Sequence, residues 1–335
     1  MTATEPVHVG LVADPESPTE IARRLEDLGP PGDDADATWD VEVVSEPFTT
    51  DSEDVGTAVE RLEDHARRHG WDVVVGLTEL PLRDDDGRYL LATTDARRRT
   101  AVLSLPALGG LRMHARTRRA VRALVSGLAD ATASGDQDVR VPRPGSRLRL
   151  LTGMVLANRP WLLVPGLKSA LVAALATGAV ATINSTVWLL AGSLSTWRLV
   201  VATIASVAVV VAWLVVDGGL WDRPDDGSPE ARDRSRLYNV STVVTLTAGV
   251  LISYLGLFVV NLAWALFVLD PDVMGGYLGT TLGYGDLVLL AWFVASAATV
   301  GGGLGSGLES DEAIRTAAYS KREQERRSRL ARRGG

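Results

Sequence analysis

Three groups of residues have types and spacings that could do chemistry. Residues 280–286 read Thr-Thr-Leu-Gly-Tyr-Gly-Asp. Glycines at alternate positions let a backbone twist until successive carbonyls face one axis, where they can replace the hydration shell of an alkali cation. His65 and His69 stand four residues apart, a spacing that puts two imidazoles on one helix face as zinc ligands. Asp84, Asp85 and Asp86 run consecutively into Gly87, and their oxygens could hold a divalent cation. Each group also has a plainer reading. Position 66 is Ala where a zinc peptidase needs a glutamate general base, no third ligand is evident, and Arg67 and Arg68 stand alongside. The histidine pair therefore reads as a solvated helix face. Consecutive aspartates in a strand-ending turn are mostly solvated and lack the ligand spacing of a calcium loop. Ahead of residues 280–286, positions 270–279 carry three glycines. In a pore helix these would cost about 3 kcal/mol against alanine, so an external loop is the better account of that run.

The chain that must position these groups is divided by charge. It has 335 residues, 34 Lys plus Arg against 41 Asp plus Glu, a net charge of -7 and no cysteine, with a mean hydropathy of +0.12. Residues 1–145 hold 27 acids and 17 bases, residues 146–309 hold 10 and 9, and residues 310–335 hold 4 and 8. Without cysteine there is no disulfide, no thiolate metal site and no thiol nucleophile. An acidic front argues against nucleic acid as a partner. Met1 to Glu5 shows no basic leader, and no signal peptide is expected.

Four stretches are apolar enough to cross a bilayer: about 169–190, 199–216, 240–269 and 287–308. A hydrocarbon core needs roughly 20 helical residues. Basic residues flank the spans in alternation. Arg140, Arg143, Arg147, Arg149, Arg159 and Lys168 precede the first, and Arg198 alone follows it. Arg223, Arg232, Arg234 and Arg236 follow the second. Residues 270–286 hold no Lys or Arg, and eight bases follow the fourth span. The positive-inside rule then places both termini in the cytoplasm of a multi-pass inner-membrane protein. Residues 146–158 read as an interfacial or linker helix. The basic tail, 310–335, reads as a topogenic cluster whose arginines could also touch anionic lipid. Asn184 and Asn261 are the notable polar residues within the spans, and helix–helix hydrogen bonding is their commoner use. Gly301/Gly305 and Gly303/Gly307 form small-xxx-small pairs for close packing. No Asp, Glu, Lys or Arg lies inside a span, which argues against proton- or ion-coupled transport.

The front reads as an α/β domain. Strands are expected at Val7–Ala13, Trp39–Val44, Trp71–Leu77, Tyr89–Thr94 and Thr100–Leu105, and helices at Ser17–Leu28 (capped by Ser17), Asp54–His69 and Met113–Leu128. That order predicts a mixed sheet with helices on it. The turn after the first strand is Asp14-Pro15-Glu16-Ser17, with no glycine cradle for a dinucleotide, and no triphosphate-binding loop occurs. No cofactor or catalytic residue is assigned.

Three resemblances add expectations. Residues 280–286 resemble the TxGYGD selectivity filter of potassium channels, with Leu282 at the usual valine. That likeness implies a tetrameric potassium-selective channel using Thr281, Leu282, Gly283, Tyr284, Gly285 and Asp286. The run from "DVVVGLTELPLR" through "YLLATTD" and "TAVLSLPALG" to "RTRRAVRALVSGL" resembles the core of archaemetzincin-type zinc peptidases. The helix that would hold HExxH reads Arg116-Thr117-Arg118-Arg119-Ala120-Val121-Arg122-Ala123 here, so the likeness implies fold without zinc or general base. The segments "VHVGLVADP", "GWDVVVGLTELPLR", "ANRPW" and "ATVGGGLGSGLESDEAIR" resemble a group of uncharacterised actinobacterial multi-pass membrane proteins. This implies architecture and no activity. The sequence therefore leans to a non-enzymatic membrane protein acting through protein or lipid partners, with the channel as the alternative.

Overall fold

A computed structural model describes residues 6–31, 38–49, 55–84, 88–110, 112–130, 137–140, 146–224 and 228–305. The tail 310–335 and Asp85–Gly87 lie outside them. The chain divides into two compact units between Ala157 and Asn158.

The first unit is an α/β domain. In chain order it contains β1 (Val7–Ala13), α1 (Ser17–Arg23), β2 (Trp39–Ser45), α2 (Val55–His69), β3 (Val73–Thr78), β4 (Leu82–Arg83), β5 (Tyr89–Asp95), β6 (Thr100–Ser104), α3 (Met113–Ala129), β7 (Gln137–Arg140) and α4 (Ser146–Ala157). The sheet order is β2-β1-β3-β6-β5-β4, with β7 on β5. β2, β1, β3 and β6 are parallel, and β5 runs antiparallel to β6. β3 is buried at every residue and β2 alternates. A central parallel strand is covered on both faces and so tolerates only apolar or small residues, whereas an edge strand is half wet. Ile21, Leu25, Val121 and Val125 of α1, its trailing turn and α3 pack on Val9, Leu11, Val75 and Leu103. On the opposite face Ala58, Val59 and Leu62 of α2 pack with Phe48, Val74 and Val102. The result is three layers.

Sequence expectation and structure part at the short elements. β4 and β7 are too brief to leave a periodic pattern. α1 stops at Arg23, with turns to Asp27. Ser17 is its first helical residue and not its cap; Glu16 precedes it at φ +70°. α4 belongs to this unit. Leu150 and Met154 are buried, and Gly153 lies on the single 3-10 turn Pro106–Leu108, where an added Cβ would sit 2.1 Å from the Pro106 carbonyl oxygen.

The second unit is helical. A 3-10 turn, Pro160–Leu162, leads into α5 (Leu163–Gly166), α6 (Lys168–Thr182), α7 (Ser185–Ser193), α8 (Thr196–Asp217), α9 (Pro229–Val268), α10 (Pro271–Leu278) and α11 (Tyr284–Gly305). Three helices are long and apolar enough to cross a membrane, or up to four if the bent pair 147–166 and 168–182 counts as one span. The expected span 169–190 falls on two helices, α6 and α7, with a break at Ile183–Asn184. At 15 residues α6 is about 22 Å long, short of the roughly 30 Å hydrocarbon core. The break is satisfied locally. The Asn184 side chain accepts the Thr186 N–H at 2.9 Å, and the Trp188 indole N–H donates to the Thr182 carbonyl at 2.8 Å. α9, with 40 residues, is about 60 Å long and starts well before its apolar segment.

Close packing in this unit falls on single glycines. At Gly302 of α11 an added Cβ would lie 2.7 Å from the Ala170 carbonyl of α6, and at Gly178 it would lie 2.3 Å from Asn261 Oδ1. Gly301, singled out by the pair pattern, meets nothing within 4 Å, and Gly307 lies outside the described residues. Gly302→Val should therefore lower the thermal midpoint of the detergent-solubilised protein by the equivalent of about 1–3 kcal/mol, whereas Gly301→Ala should be near neutral. Differential scanning fluorimetry of both variants checks this.

Candidate functional site

The ends of the parallel strands are where an open α/β sheet usually binds ligands. Here β1 lies between β2 and β3, and the two crossovers pass over opposite faces. The polar groups at these ends are engaged with each other. Asp14 is fully buried, and its carboxylate accepts the Phe48 N–H at 3.4 Å and the Thr49 hydroxyl at 3.2 Å. The Thr19 hydroxyl donates to the Asp14 carbonyl at 2.8 Å and lies 2.7 Å from Ser45 Oγ. The Ser104 hydroxyl donates to the Leu80 carbonyl at 2.8 Å, and the Leu80 N–H donates to Thr78 Oγ1 at 3.1 Å. This network straps the chain after β2 across the strand ends.

The histidine pair is not the solvated face expected. His65 is only 4% exposed. Its Nε2 lies 3.5 Å from Glu46 Oε2, and its buried Nδ1 has no hydrogen-bond partner among the described residues. His69 stacks on His65 at 6.1 Å and on Trp71 at 4.5 Å between ring centroids. The His69 Nδ1–H donates to the His65 carbonyl at 3.0 Å, and the Trp71 indole N–H donates to Glu42 at 2.7 Å. Stacked rings do not aim two nitrogens at one ion. Among the described residues no group of three His, Cys, Asp or Glu side chains is placed to hold a metal. Burial pushes the His65 imidazole below its ordinary value, with Glu46 opposing and Arg68 and His69 assisting.

Residues 280–286 form a helix start. α10 exists despite its glycines because two of the three glycines in 270–279 have positions of their own. Gly275 meets the Thr280 carbonyl so closely that a Cβ would sit 2.6 Å from it, and Gly279 ends the helix at φ +70°. Thr281, Leu282 and Gly283 follow as irregular chain, and Tyr284, Gly285 and Asp286 are the first residues of α11. The Gly283 N–H donates to Asp286 Oδ2 at 2.8 Å, while the Asp286 N–H donates to the Gly283 carbonyl at 3.0 Å. That is the side-chain half of a capping box, closed by a backbone turn. In this conformation the carbonyls of Tyr284 to Asp286 run along the axis of α11, not toward a common centre.

A cluster that sequence reasoning missed lies among α8, α9 and α11. Thr203 Oγ1 is 3.1 Å from the Tyr254 hydroxyl and 3.3 Å from Ser296 Oγ, and these two are 2.9 Å apart. The Trp292 indole N–H donates to Thr203 Oγ1 at 2.8 Å. Each of these residues is unremarkable in an apolar sequence, and only their convergence makes a site. The noted asparagines act otherwise. Asn184 caps α7, and the Asn261 amide donates to its own helix at Leu257.

No family model, no curated protein and no solved structure matches the chain.

Two outcomes follow from this geometry. An imidazole whose folded-state pKa lies below its unfolded value of 6.5 takes up a proton more readily in the unfolded chain. Stability should thus fall as pH drops below about 6.5, and His65→Leu should flatten that part of a plot of melting temperature against pH. At the helix start, Asp286→Ala removes the carboxylate that accepts the Gly283 N–H and should cost about 1 kcal/mol. Gly283→Ala should be nearly silent in thermal unfolding, since a Cβ there meets nothing within 4 Å.

Proposed function

We propose that the chain is a multi-pass inner-membrane protein whose α/β domain works at the cytoplasmic surface as a docking module for protein or lipid partners and not as a catalyst. The supporting observation is the outward surface of the long helices. Within their apolar windows only 33% of α8 and 39% of α9 is buried inside the chain. Ile204 of α8 and Leu255, Val259 and Phe267 of α9 are more than half exposed. A water-soluble bundle would place charge on such faces, whereas in hydrocarbon they need none.

Orientation is taken from the flanking charges. Around α7 and α10 the only base is Arg198, in the first turn of α8, while the segment before α6 and the first turns of α9, with Arg223 just ahead of them, are arginine-rich. The exposed Trp197, Tyr277 and Tyr284 cluster at the base-poor ends, where amphipathic rings favour an interface. The likeness to actinobacterial membrane proteins belongs to the same reading.

Because the chain has no cysteine, single introduced thiols report sidedness cleanly. Tyr277→Cys should react with a membrane-impermeant maleimide on intact cells, and Glu60→Cys only after the membrane is opened. The reverse pattern would overturn the orientation, and release of the protein by alkaline carbonate would overturn the membrane assignment.

A further inference from the structure

α3 departs from the charge pattern of its own domain. Residues 112–129 hold five arginines and no acid, while the remainder of residues 1–145 holds 27 acids and 12 bases. Cations near a helix N-terminus oppose the helix dipole, and no acidic residue occupies the first turn of α3 to offset them. Arg112, Arg116 and Arg119 recur at helical spacing on one stripe, with Arg112 and Arg119 exposed.

The geometry at the start of α3 is more specific. Arg116 Nη1 and Arg149 Nε donate to the same carbonyl, that of Leu108, at 2.7 and 3.2 Å. Gly109 follows at φ +78°, and a Cβ there would lie 2.8 Å from Arg149 Cγ and 3.2 Å from Arg116 Nη1. Two guanidinium groups thus converge on one neutral oxygen, and among the described residues neither has a carboxylate partner. Their neighbour Arg118 shows the contrast, since it is paired with Asp27 at 2.8 Å. A pair of cations held together repel each other, and a phosphate diester between them turns that repulsion into two charge-assisted hydrogen bonds.

α4 carries Arg149 and ends at Ala157, and only Asn158 and Arg159 stand before the turn at Pro160 that opens the helical unit. Two residues span at most about 7 Å. On α4 the side away from the domain shows Leu148, 67% exposed, beside Arg147.

We propose that Arg112, Arg116 and Arg149, flanked by Arg119, form a docking surface for the phosphate headgroups of an anionic lipid bilayer. This rests on the membrane reading above. The test uses the full chain in nanodiscs of phosphatidylcholine alone or with phosphatidylglycerol, footprinted with phenylglyoxal and read by mass spectrometry. In the anionic discs Arg112, Arg116, Arg119 and Arg149 should label roughly fivefold more slowly. Arg68, on the opposite face of the sheet, should be unchanged. Protection should vanish at 1 M salt, where the screening length is about 3 Å. Arg112→Gln with Arg119→Gln, both at exposed positions, should reduce the protection of Arg116 without disturbing the fold. Equal labelling in the two lipids overturns the proposal while leaving the membrane reading intact. Protection produced in zwitterionic discs by an added RNA oligonucleotide overturns the choice of lipid. A chain that enters no disc overturns both readings.

Discussion

Within hydrocarbon a peptide group has no water to bond, so each amide and carbonyl must find its partner inside the chain. On the proposed membrane reading that constraint governs the three long apolar helices of the second unit. Helices there can stop only where a side chain or a turn takes over the hydrogen bonds that the helix leaves open. The stops observed meet that demand. Asn184 caps α7, Asp270 caps α10, and Asp286 with Gly283 caps α11. Trp188 covers a carbonyl at the end of α6. The same demand accounts for the shape of the bundle. α8, α9 and α11 are long and unbroken, while the short helices α7 and α10 sit at the connections between them.

The α/β half answers a different solvent, and its sequence was correspondingly easier to read. Long strands and helices announce themselves by burial period, so β1, β3, α2 and α3 fell within a few residues of expectation. β4 and β7, of two and four residues, have no period to detect. α4 was ambiguous because its leucines and arginines fit either a lipid interface or a cytosolic linker helix. The contact at Gly153 is a fact of tertiary structure and leaves no trace in composition.

The candidate sites were less legible, for a reason common to all of them. Spacing along a helix says which residues share a face but not what covers that face. His65 and His69 do share a face, yet the strap after β2 buries one of them and Trp71 stacks on the other. Residues 280–286 have the composition of a carbonyl ladder, and the same glycines serve equally to open a helix. Composition permits both conformations. Capping by Asp286 and the packing of Leu287 and Leu290 in the buried cluster with Trp188 favour the helical one.

The hydroxyl cluster of Thr203, Tyr254 and Ser296 shows what a polar group inside such a bundle contributes. The Thr203 and Ser296 hydroxyls also reach back to carbonyls of their own helices, Leu199 at 3.0 Å and Trp292 at 3.1 Å. Every hydrogen in the cluster therefore has an acceptor within the chain, and a ligand would have to displace one of these bonds to enter. Interhelical hydrogen bonds of this kind average only about 0.6 kcal/mol each, too little to hold three helices together by themselves. Their effect is on register. A slide of α8 along α9 and α11 by one helical turn, about 5.4 Å, would separate the Thr203 and Tyr254 oxygens from hydrogen-bond range and leave the Trp292 N–H unmatched in an apolar medium. Apolar packing supplies the cohesion, the close approaches at Gly302 and Gly178 already restrict the register, and four polar atoms disfavour the alignments a turn away.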